Sequence, residues 1–437
     1  MKILLENAKI LLNNRELKRF DIVVDSESGK ICKIGLGISK RDYDIKIRLE
    51  NHHIVLPGFV DIHVHCRDWK QSHKETIETC SMAAAAGGVV KIFDMPNTDP
   101  KIDNVELYLD RLKYCREKSK VEYYLHAGVP RKIEELYRYY ESGVRSIKVY
   151  PEDIERLVEE NLIDEFFKIC EKFNILLIFH CEDLKIIRDM YLKYEHNFKN
   201  HRFIRCRDSE ISCINFIISK ILRFRNIRVH FTHVSTVDSI KIINRYRQYS
   251  KITLDITPHH LILTDEMCFE NSKFENICKV NPPLRDSYDR DGIFVEFLNG
   301  RVDCVVSDHA PHSIDEKLRD YDICPPGFPG LETTSLILLS LWRYGFIDIV
   351  DAVKLYCENP CKIVGIEYPK ICENSFADMC IVDVKREKVV DSSKFRSLSK
   401  YSPFDGFRVP VSIVATFYHG KPIFIDEYYY DYFSKLL

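Results

Sequence analysis

Short apolar runs alternate with longer amphipathic segments through the middle of the chain. The apolar runs predict eight strands, at 58–65, 89–94, 122–129, 144–150, 175–180, 227–234, 252–258 and 302–308. Segments between them have the length of helices, among them 104–118, 131–142, 153–173 and 237–246. Fully apolar strands that alternate with helices are typical of parallel sheets, and eight such units can close on themselves. The pattern therefore predicts an α/β fold with a (β/α)8 TIM-type barrel over residues 57–366.

Both ends of the chain carry short β-like runs instead. They lie at 2–5, 21–24, 31–34, 379–384, 411–418 and 422–425, separated by turn-forming residues. Neither flank is long enough to bury a core of its own. We therefore expect residues 1–56 and 367–437 to pair with each other as one small β-rich side domain beside the catalytic barrel.

Composition and charge exclude several classes of protein. The chain has 437 residues, of which 45% are hydrophobic and 30% are charged, and its formal net charge is −2. It is therefore not mainly disordered, and it has no overall basic field that would attract nucleic acid or anionic lipid. Glu6 and Lys9 interrupt the apolar N-terminal segment, and no apolar run approaches the length of a membrane span. We expect a cytoplasmic protein with no nucleic-acid or membrane partner.

The chain contains 16 cysteines, most of them within apolar runs and none in a C-x-x-C pair. In a long chain without a secretory signal, this pattern favours reduced, buried thiols over a disulfide framework.

Polar residues cluster where the predicted barrel strands end, and barrel enzymes carry their active sites at these ends. His63 and His65 are two residues apart in an extended segment, so both rings face the same side. His180, His233 and Asp308 end three other strands. One such histidine alone is more typical of a core ring, but the whole set predicts a metal cage of nitrogen and oxygen ligands. Zinc suits this set best, and manganese, cobalt or iron would also fit.

Lys148 ends the fourth predicted strand. A metal site would repel an ammonium group, and burial would lower its pKa, so that the neutral amine could add carbon dioxide. The resulting carbamate is an anion whose two oxygens could bridge two metal ions. A structural ion pair is the alternative for this lysine.

Several stretches, in order along the chain, resemble the dihydroorotases of the cyclic amidohydrolase superfamily. The resemblance extends from about residue 55 to 366 and is most specific at PGFVDIHVHCRD, AAAAGGVVKIFDMPNTDP, PHHLILTDE, VNPPLRD, SDHAPH and PPGFPGLETT. It implies a hydrolase acting on cyclic amides. The implied reaction is the reversible cyclisation of N-carbamoyl-L-aspartate to L-dihydroorotate plus water, in de novo pyrimidine (UMP) biosynthesis.

The resemblance also implies a role for each site residue. The first of two zinc ions would be bound by His63, His65 and Asp308, and the second by His180 and His233. Carbamylated Lys148 and a hydroxide would lie between them, with Asp308 as general base and then general acid for attack by this metal-bound hydroxide. The substrate would contact His65, Arg67, Asn97, Asn281, His312, Pro326 and Gly327. Arg67 and Asn97 would hold its free carboxylate.

Several alternatives stay open. Asp153, in KVYPED, is a rival to Lys148, because some bacterial relatives bridge the metals with an aspartate a few residues beyond this strand. Arg67 could instead pair with Asp68 or Glu75 at the rim of the barrel. The same metals would serve a hydantoinase, dihydropyrimidinase or allantoinase, although an arginine directly after H-x-H argues against a ring without a carboxylate. The complete ligand set argues against an inactive protein that only assembles with aspartate transcarbamoylase. An active enzyme could still form a homo-oligomer or associate with aspartate transcarbamoylase.

Overall fold

A computed structural model describes residues 1–13, 15–271 and 275–436. Its strands are β1 (Lys2–Leu12), β2 (Glu16–Asp25), β3 (Lys30–Gly35), β4 (Ile45–Arg48), β5 (His53–Pro57), β6 (Phe59–Val64), β7 (Val89–Asp94), β8 (Glu122–Leu125), β9 (Ala127–Gly128), β10 (Ser146–Val149), β11 (Leu176–Phe179), β12 (Arg228–Phe231), β13 (Lys251–Ile256), β14 (Cys304–Val305), β15 (Met379–Asp383), β16 (Lys388–Val389), β17 (Arg408–Val409), β18 (Ser412–Tyr418) and β19 (Lys421–Ile425).

The α-helices of these residues are α1 (Ile77–Ala86), α2 (Val105–Lys118), α3 (Glu135–Glu141), α4 (Pro151–Glu159), α5 (Ile163–Lys172), α6 (Leu184–Lys193), α7 (His201–Ile204), α8 (Arg207–Ile221), α9 (Val237–Tyr246), α10 (Pro258–Ile262), α11 (Asp265–Asn271), α12 (Ser287–Leu298), α13 (Ile314–Lys317), α14 (Leu331–Arg343), α15 (Ile349–Val353) and α16 (Asn359–Val364). None of the described helices is long and apolar enough to cross a membrane.

The middle of the chain forms a closed parallel barrel. β6, β7 and β8 pair in that order, and β9 to β14 continue as a second run of neighbours. Because β8 and β9 are consecutive pieces of one strand, the barrel has eight positions. It closes where Val64 bridges to His309 in parallel and the backbone N–H of His65 donates to the His309 carbonyl at 2.8 Å. The predicted (β/α)8 barrel is confirmed.

The barrel strands are buried on both faces. Every residue of β6, β7, β10 and β11 is buried, because side chains fill the barrel interior and helices cover its outside. Several of the described outer helices begin at side-chain caps. The Thr76 side chain accepts from Thr79 N at the start of α1, and the Asn104 side chain accepts from Leu107 N at the start of α2.

Both ends of the chain build one side sheet. Its strand order is β19-β18-β15-β5-β1-β2-β3, with β4 beside β1. β15 runs antiparallel to β5, with Ile381 opposite Val55, and this pairing joins the C-terminal part to the N-terminal part. Ile381 and Val55 belong to a hydrophobic core separate from that of the barrel. The predicted β-rich side domain is confirmed. The exact limits of its two parts, residues 1–56 and 367–437, stay a prediction.

Two expectations from the sequence are wrong. The segment 153–173 is not one helix, because Asn161 adopts a left-handed backbone (φ 57°) and separates α4 from α5. The expectation of reduced thiols fails for Cys268 and Cys278. These residues form a disulfide, and their Cα atoms are 5.9 Å apart. The other cysteines are free, and most of them are buried.

Candidate metal centre and active site

His63, His65 and Asp308 form a compact triangle at the carboxyl end of the barrel. Asp308 Oδ1 lies 3.2 Å from His63 Nε2 and 3.4 Å from His65 Nε2. Tetrahedral zinc ligands at bond lengths of about 2.1 Å are about 3.4 Å apart, so these separations match those around one ion. All three side chains are buried. Asp308 also has a left-handed backbone (φ 46°), a strained conformation typical of functional sites.

His180 and His233 extend this triangle into a cage. The ring centroids of His233 and His63 are 5.0 Å apart, and those of His180 and His233 are 4.6 Å apart. Glu182 Oε2 lies 2.5 Å from His180 Nε2 and is itself bound by Arg205, which leaves His180 Nδ1 for a metal. His233 Nδ1 is buried without a hydrogen-bond partner among the described residues. The structure therefore brings all four predicted histidines together.

The electrostatics of the cage favour neutral imidazoles. Burial, followed by the positive charge of Lys148, lowers the pKa of His63 well below its usual range. Burial likewise lowers the pKa values of His65 and His233. A metal binds the neutral ring through a nitrogen lone pair, so these histidines are in the form that metal binding requires.

Lys148 lies in the same interior. It is fully buried, and its Nζ has no hydrogen-bond partner among the described residues. Burial lowers the pKa of Lys148 from 10.5 to about 7, although Asp308 and Asp255 act in the opposite direction. Among the described residues no carboxylate forms an ion pair with Lys148, so the alternative of a structural ion pair is wrong.

Asp153, the rival of Lys148, is engaged elsewhere. Its Oδ1 accepts from Lys101 Nζ at 2.9 Å, and its Oδ2 accepts from Tyr150 N at 3.1 Å, where it caps α4. Both oxygens therefore already have partners outside the histidine cage. A buried amine without a partner is the better candidate for the bridge.

Arg67 is a buried cation beside the cage. Its Nε donates to the Pro311 carbonyl at 3.1 Å, and its Nη2 lies 3.0 Å from His312 Nε2. The expected alternatives do not pair with it: Asp68 accepts from Ile77 N at 2.9 Å, and Glu75 accepts from Leu398 N at 3.1 Å. Within the described residues no carboxylate forms an ion pair with Arg67. A buried charge of this kind calls for an anion from outside the chain.

The other predicted substrate contacts lie around the histidine cage and His312. Asn97 Oδ1 lies 2.7 Å from His65 Nδ1, and His312 Nε2 lies 3.1 Å from the Pro326 carbonyl. Gly327 follows with a positive φ of 124°, and a Cβ there would lie 2.6 Å from the Ala310 carbonyl oxygen. The structure therefore brings Asn97, His312 and the Pro326 loop to the same end of the barrel.

Asn281 is connected to this loop less directly. Its Oδ1 lies 3.0 Å from His201 Nε2. Gly327 N donates to the carbonyl of Lys279, two residues before Asn281, at 2.8 Å. No contact of the Asn281 side chain with Arg67 or His312 is present among the described residues.

Asp255 is a supporting residue that the sequence analysis missed. Its carboxylate accepts from His233 N at 2.5 Å and from Thr232 Oγ1 at 2.9 Å. Thr232 Oγ1 in turn lies 2.6 Å from His63 Nδ1. One buried carboxylate thus orients two of the histidines. In the sequence, Asp255 is the only acidic residue of the apolar strand predicted at 252–258, and this could have indicated its role.

A fold of this kind with a buried histidine, aspartate and lysine cage defines a class of hydrolases. The chain belongs to the amidohydrolase family, which it matches over residues 54–423, so the predicted hydrolase class is confirmed. Curated relatives within that class are dihydroorotases. The dihydroorotase of Acetivibrio thermocellus is 34% identical over 413 residues, covering 92% of this chain and 94% of its own. That of Pyrobaculum aerophilum is 32% identical over 408 residues, covering 91% and 94%.

Solved structures share the whole architecture. An L-hydantoinase from Arthrobacter aurescens has a TM-score of 0.86 and 24% identity, and covers 96% of this chain and 95% of its own. A dihydropyrimidinase from Brevibacillus agri has a TM-score of 0.85 and 20% identity, and covers 98% and 96%. At these identities the structures establish the fold alone.

Proposed function

We propose that this protein is a dihydroorotase, which interconverts N-carbamoyl-L-aspartate and L-dihydroorotate plus water in de novo pyrimidine biosynthesis. The dihydroorotase relatives support this reaction. The observation that carries the proposal is the buried guanidinium of Arg67, which borders the histidine cage without a carboxylate partner among the described residues. The substrate and the product both supply that missing carboxylate.

The residues of the cage fit two divalent metal ions, and we propose zinc. His63, His65 and Asp308 would hold one ion, His180 and His233 the other, and carbamylated Lys148 would bridge them. The unpartnered Lys148 Nζ and His233 Nδ1 support this assignment, because buried polar atoms normally have partners. When bound, such ions lower the pKa of a water and polarise a carbonyl group.

Asp308 is the residue proposed to transfer the proton. Both of its histidine contacts use Oδ1, so Oδ2 remains to accept a proton from the attacking water. As the ring C–N bond breaks, Asp308 returns this proton to the leaving nitrogen. In the direction of synthesis, the same carboxylate takes the proton from the nitrogen that attacks and delivers it to the departing water.

Arg67 is proposed to hold the free carboxylate of the substrate, with Asn97 beside it. A planar guanidinium can bind a carboxylate with two parallel hydrogen bonds, which fixes orientation as well as position. His65, Asn281, His312, Pro326 and Gly327 complete the proposed contacts. His312 lies within 3.1 Å of the Pro326 carbonyl, so these two contacts come from one connected loop.

A hydantoinase-type activity is the second candidate, because the hydantoinase and dihydropyrimidinase structures share the fold. The unmatched Arg67 argues against it, since a ring without a carboxylate would leave this buried charge uncompensated. The complete ligand set argues against an inactive assembly partner. A homo-oligomer and an association with aspartate transcarbamoylase remain predictions.

A direct assay tests the proposal. Zinc-loaded protein would be given L-dihydroorotate, hydantoin, dihydrouracil and allantoin, and N-carbamoyl-L-aspartate for the reverse direction. Turnover of dihydroorotate well above that of the uncharged rings is expected. Turnover of the uncharged rings alone would overturn the substrate assignment, and no turnover with metal bound would overturn the enzyme assignment.

A further inference from the structure

Tyr150 stands at the edge of the cage. It follows β10 directly and precedes α4, at the end of the barrel where Lys148 and the histidines lie. Its backbone N–H donates to Asp153 Oδ2 at 3.1 Å, which fixes its place at the start of the helix. Its ring centroid is 5.4 Å from Lys148 Nζ and 5.8 Å from Lys101 Nζ. The phenol is therefore held in position beside the proposed bridging residue.

The hydroxyl of Tyr150 has no partner. It is buried, and within the described chain nothing forms a hydrogen bond with it. Two other buried phenols of the barrel have acceptors: Tyr123 donates to Asp94 Oδ2 and Tyr356 donates to Asp61 Oδ2, each at 2.7 Å. Burial removes the water that would otherwise satisfy the group, so a donor left open beside a cage indicates an acceptor from a bound molecule.

Arg67 is a second donor on the same side. Burial lowers the pKa of Arg67, and Tyr150 is the neighbouring residue that opposes this effect most, so the two side chains lie near each other. The guanidinium uses Nε on the Pro311 carbonyl and Nη2 beside His312, and no described carboxylate pairs with it. A phenol and a guanidinium, neither with a carboxylate partner among the described residues, thus lie at the same end of the barrel. A carboxylate fits there, because its two oxygens accept several hydrogen bonds at once.

We propose that Tyr150 is a substrate-binding residue, whose hydroxyl donates to the free carboxylate of L-dihydroorotate and N-carbamoyl-L-aspartate beside Arg67. The inference rests on the proposed function, since only a ring with a carboxylate supplies this acceptor. The Tyr150 hydroxyl would be a neutral donor beside the cationic guanidinium of Arg67, and it would strengthen selection against uncharged rings. A hydroxyl aimed at the reacting carbonyl instead would affect kcat rather than binding, so the two roles can be separated.

Tyr150→Phe in the zinc-loaded full chain is the test, with Tyr139→Phe as the matched control. Tyr139 also has a buried hydroxyl without a described partner, but it lies on α3, outside the cage. The measurements are KM and kcat for dihydroorotate, and the affinity for orotate by calorimetry. Zinc content and the thermal midpoint report on folding, and both variants should match the wild type because each keeps its ring.

For Tyr150→Phe we expect KM for dihydroorotate and Kd for orotate to rise about ten- to a hundredfold, the range for a hydrogen bond to a charged group, with kcat within about threefold. Tyr139→Phe should change neither. Unchanged KM and Kd in Tyr150→Phe would overturn the inference, and so would a fall in kcat at constant KM. If the wild type neither opens dihydroorotate nor binds orotate, the proposed function fails as well. An active wild type with an unaffected variant overturns the Tyr150 assignment alone.

Discussion

Replacement of Lys148 tests the bridging assignment against its rival. In the metal-free protein the pKa of Lys148 is about 7 instead of 10.5. At pH 7 about half of this amine is therefore neutral, compared with about one in three thousand for an ordinary lysine. Since only the neutral amine adds carbon dioxide, carbamate should form with a midpoint near pH 7 and increase above it. The position of the group thus makes carbamylation accessible at physiological pH.

Lys148→Ala should lower kcat/KM for dihydroorotate by about a thousandfold or more. Losing an anionic bridge removes several kcal/mol of stabilisation, and each 1.4 kcal/mol corresponds to a factor of ten. Small carboxylic acids such as acetate are expected to restore part of the activity by occupying the vacated space. Asp153→Asn is the control, because it weakens a helix cap and the Lys101 ion pair. It should cost about 1 kcal/mol of stability and leave activity within tenfold.

Three assays measure these effects. Ring opening of dihydroorotate is followed by its absorbance, zinc per chain by metal analysis, and the carbamate by carbon NMR of metal-free protein in labelled bicarbonate. The carbamate signal should be present in Asp153→Asn and absent in Lys148→Ala. Full activity in Lys148→Ala together with an inactive Asp153→Asn would refute the assignment and make Asp153 the bridge.

Other buried groups give further testable effects. Burial lowers the pKa of Lys317 from 10.5 to about 7, so the unfolded chain binds more protons between these values and stability rises with pH. Lys317→Met should remove about 1.4 kcal/mol per pH unit from the slope measured by urea unfolding between pH 7 and 10, and an unchanged slope would contradict this. Asp255→Asn should weaken zinc binding about ten- to a hundredfold in competition with a chelator, because it loosens His63 and His233; equal affinity would argue against that role. Gly327→Ala should raise KM at least tenfold in steady-state kinetics, since φ is 124° and the new Cβ would meet the Ala310 carbonyl; a wild-type KM would mean that the loop adapts.

The barrel and the gathering of the candidate ligands at one end of it were predictable because both depend on local sequence. Eight apolar runs gave the strands, and polar residues at their ends gave His63, His65, His180, His233, Lys148 and Asp308. A parallel barrel gathers these ends at one place, so no knowledge of side-chain contacts was needed. The split between α4 and α5 was missed because it depends on a left-handed backbone at Asn161, which the amphipathic pattern does not reveal.

Contacts between neighbouring strands were not predictable in the same way. Asp255 reaches Thr232 only because the register of β12 and β13 places Phe231 opposite Leu254. Similarly, Asp68 follows Arg67 in sequence but does not pair with it. Positive φ angles at residues 67–69 turn the chain, and the Asp68 carboxylate accepts from Ile77 N and Tyr114 instead. The structure was therefore needed to see that Arg67 has no carboxylate partner among the described residues.

Arg67 is the residue proposed to select substrates with a carboxylate, and its replacement measures that selection. The measurement is the ratio of kcat/KM for L-dihydroorotate to that for dihydrouracil, in zinc-loaded wild type and in Arg67→Met. We expect a wild-type ratio far above one, and a fall of about a hundredfold or more in the variant, because a buried charged pair is lost. A wild type that prefers dihydrouracil, or an Arg67→Met variant that opens dihydroorotate as fast as the wild type, would contradict this expectation.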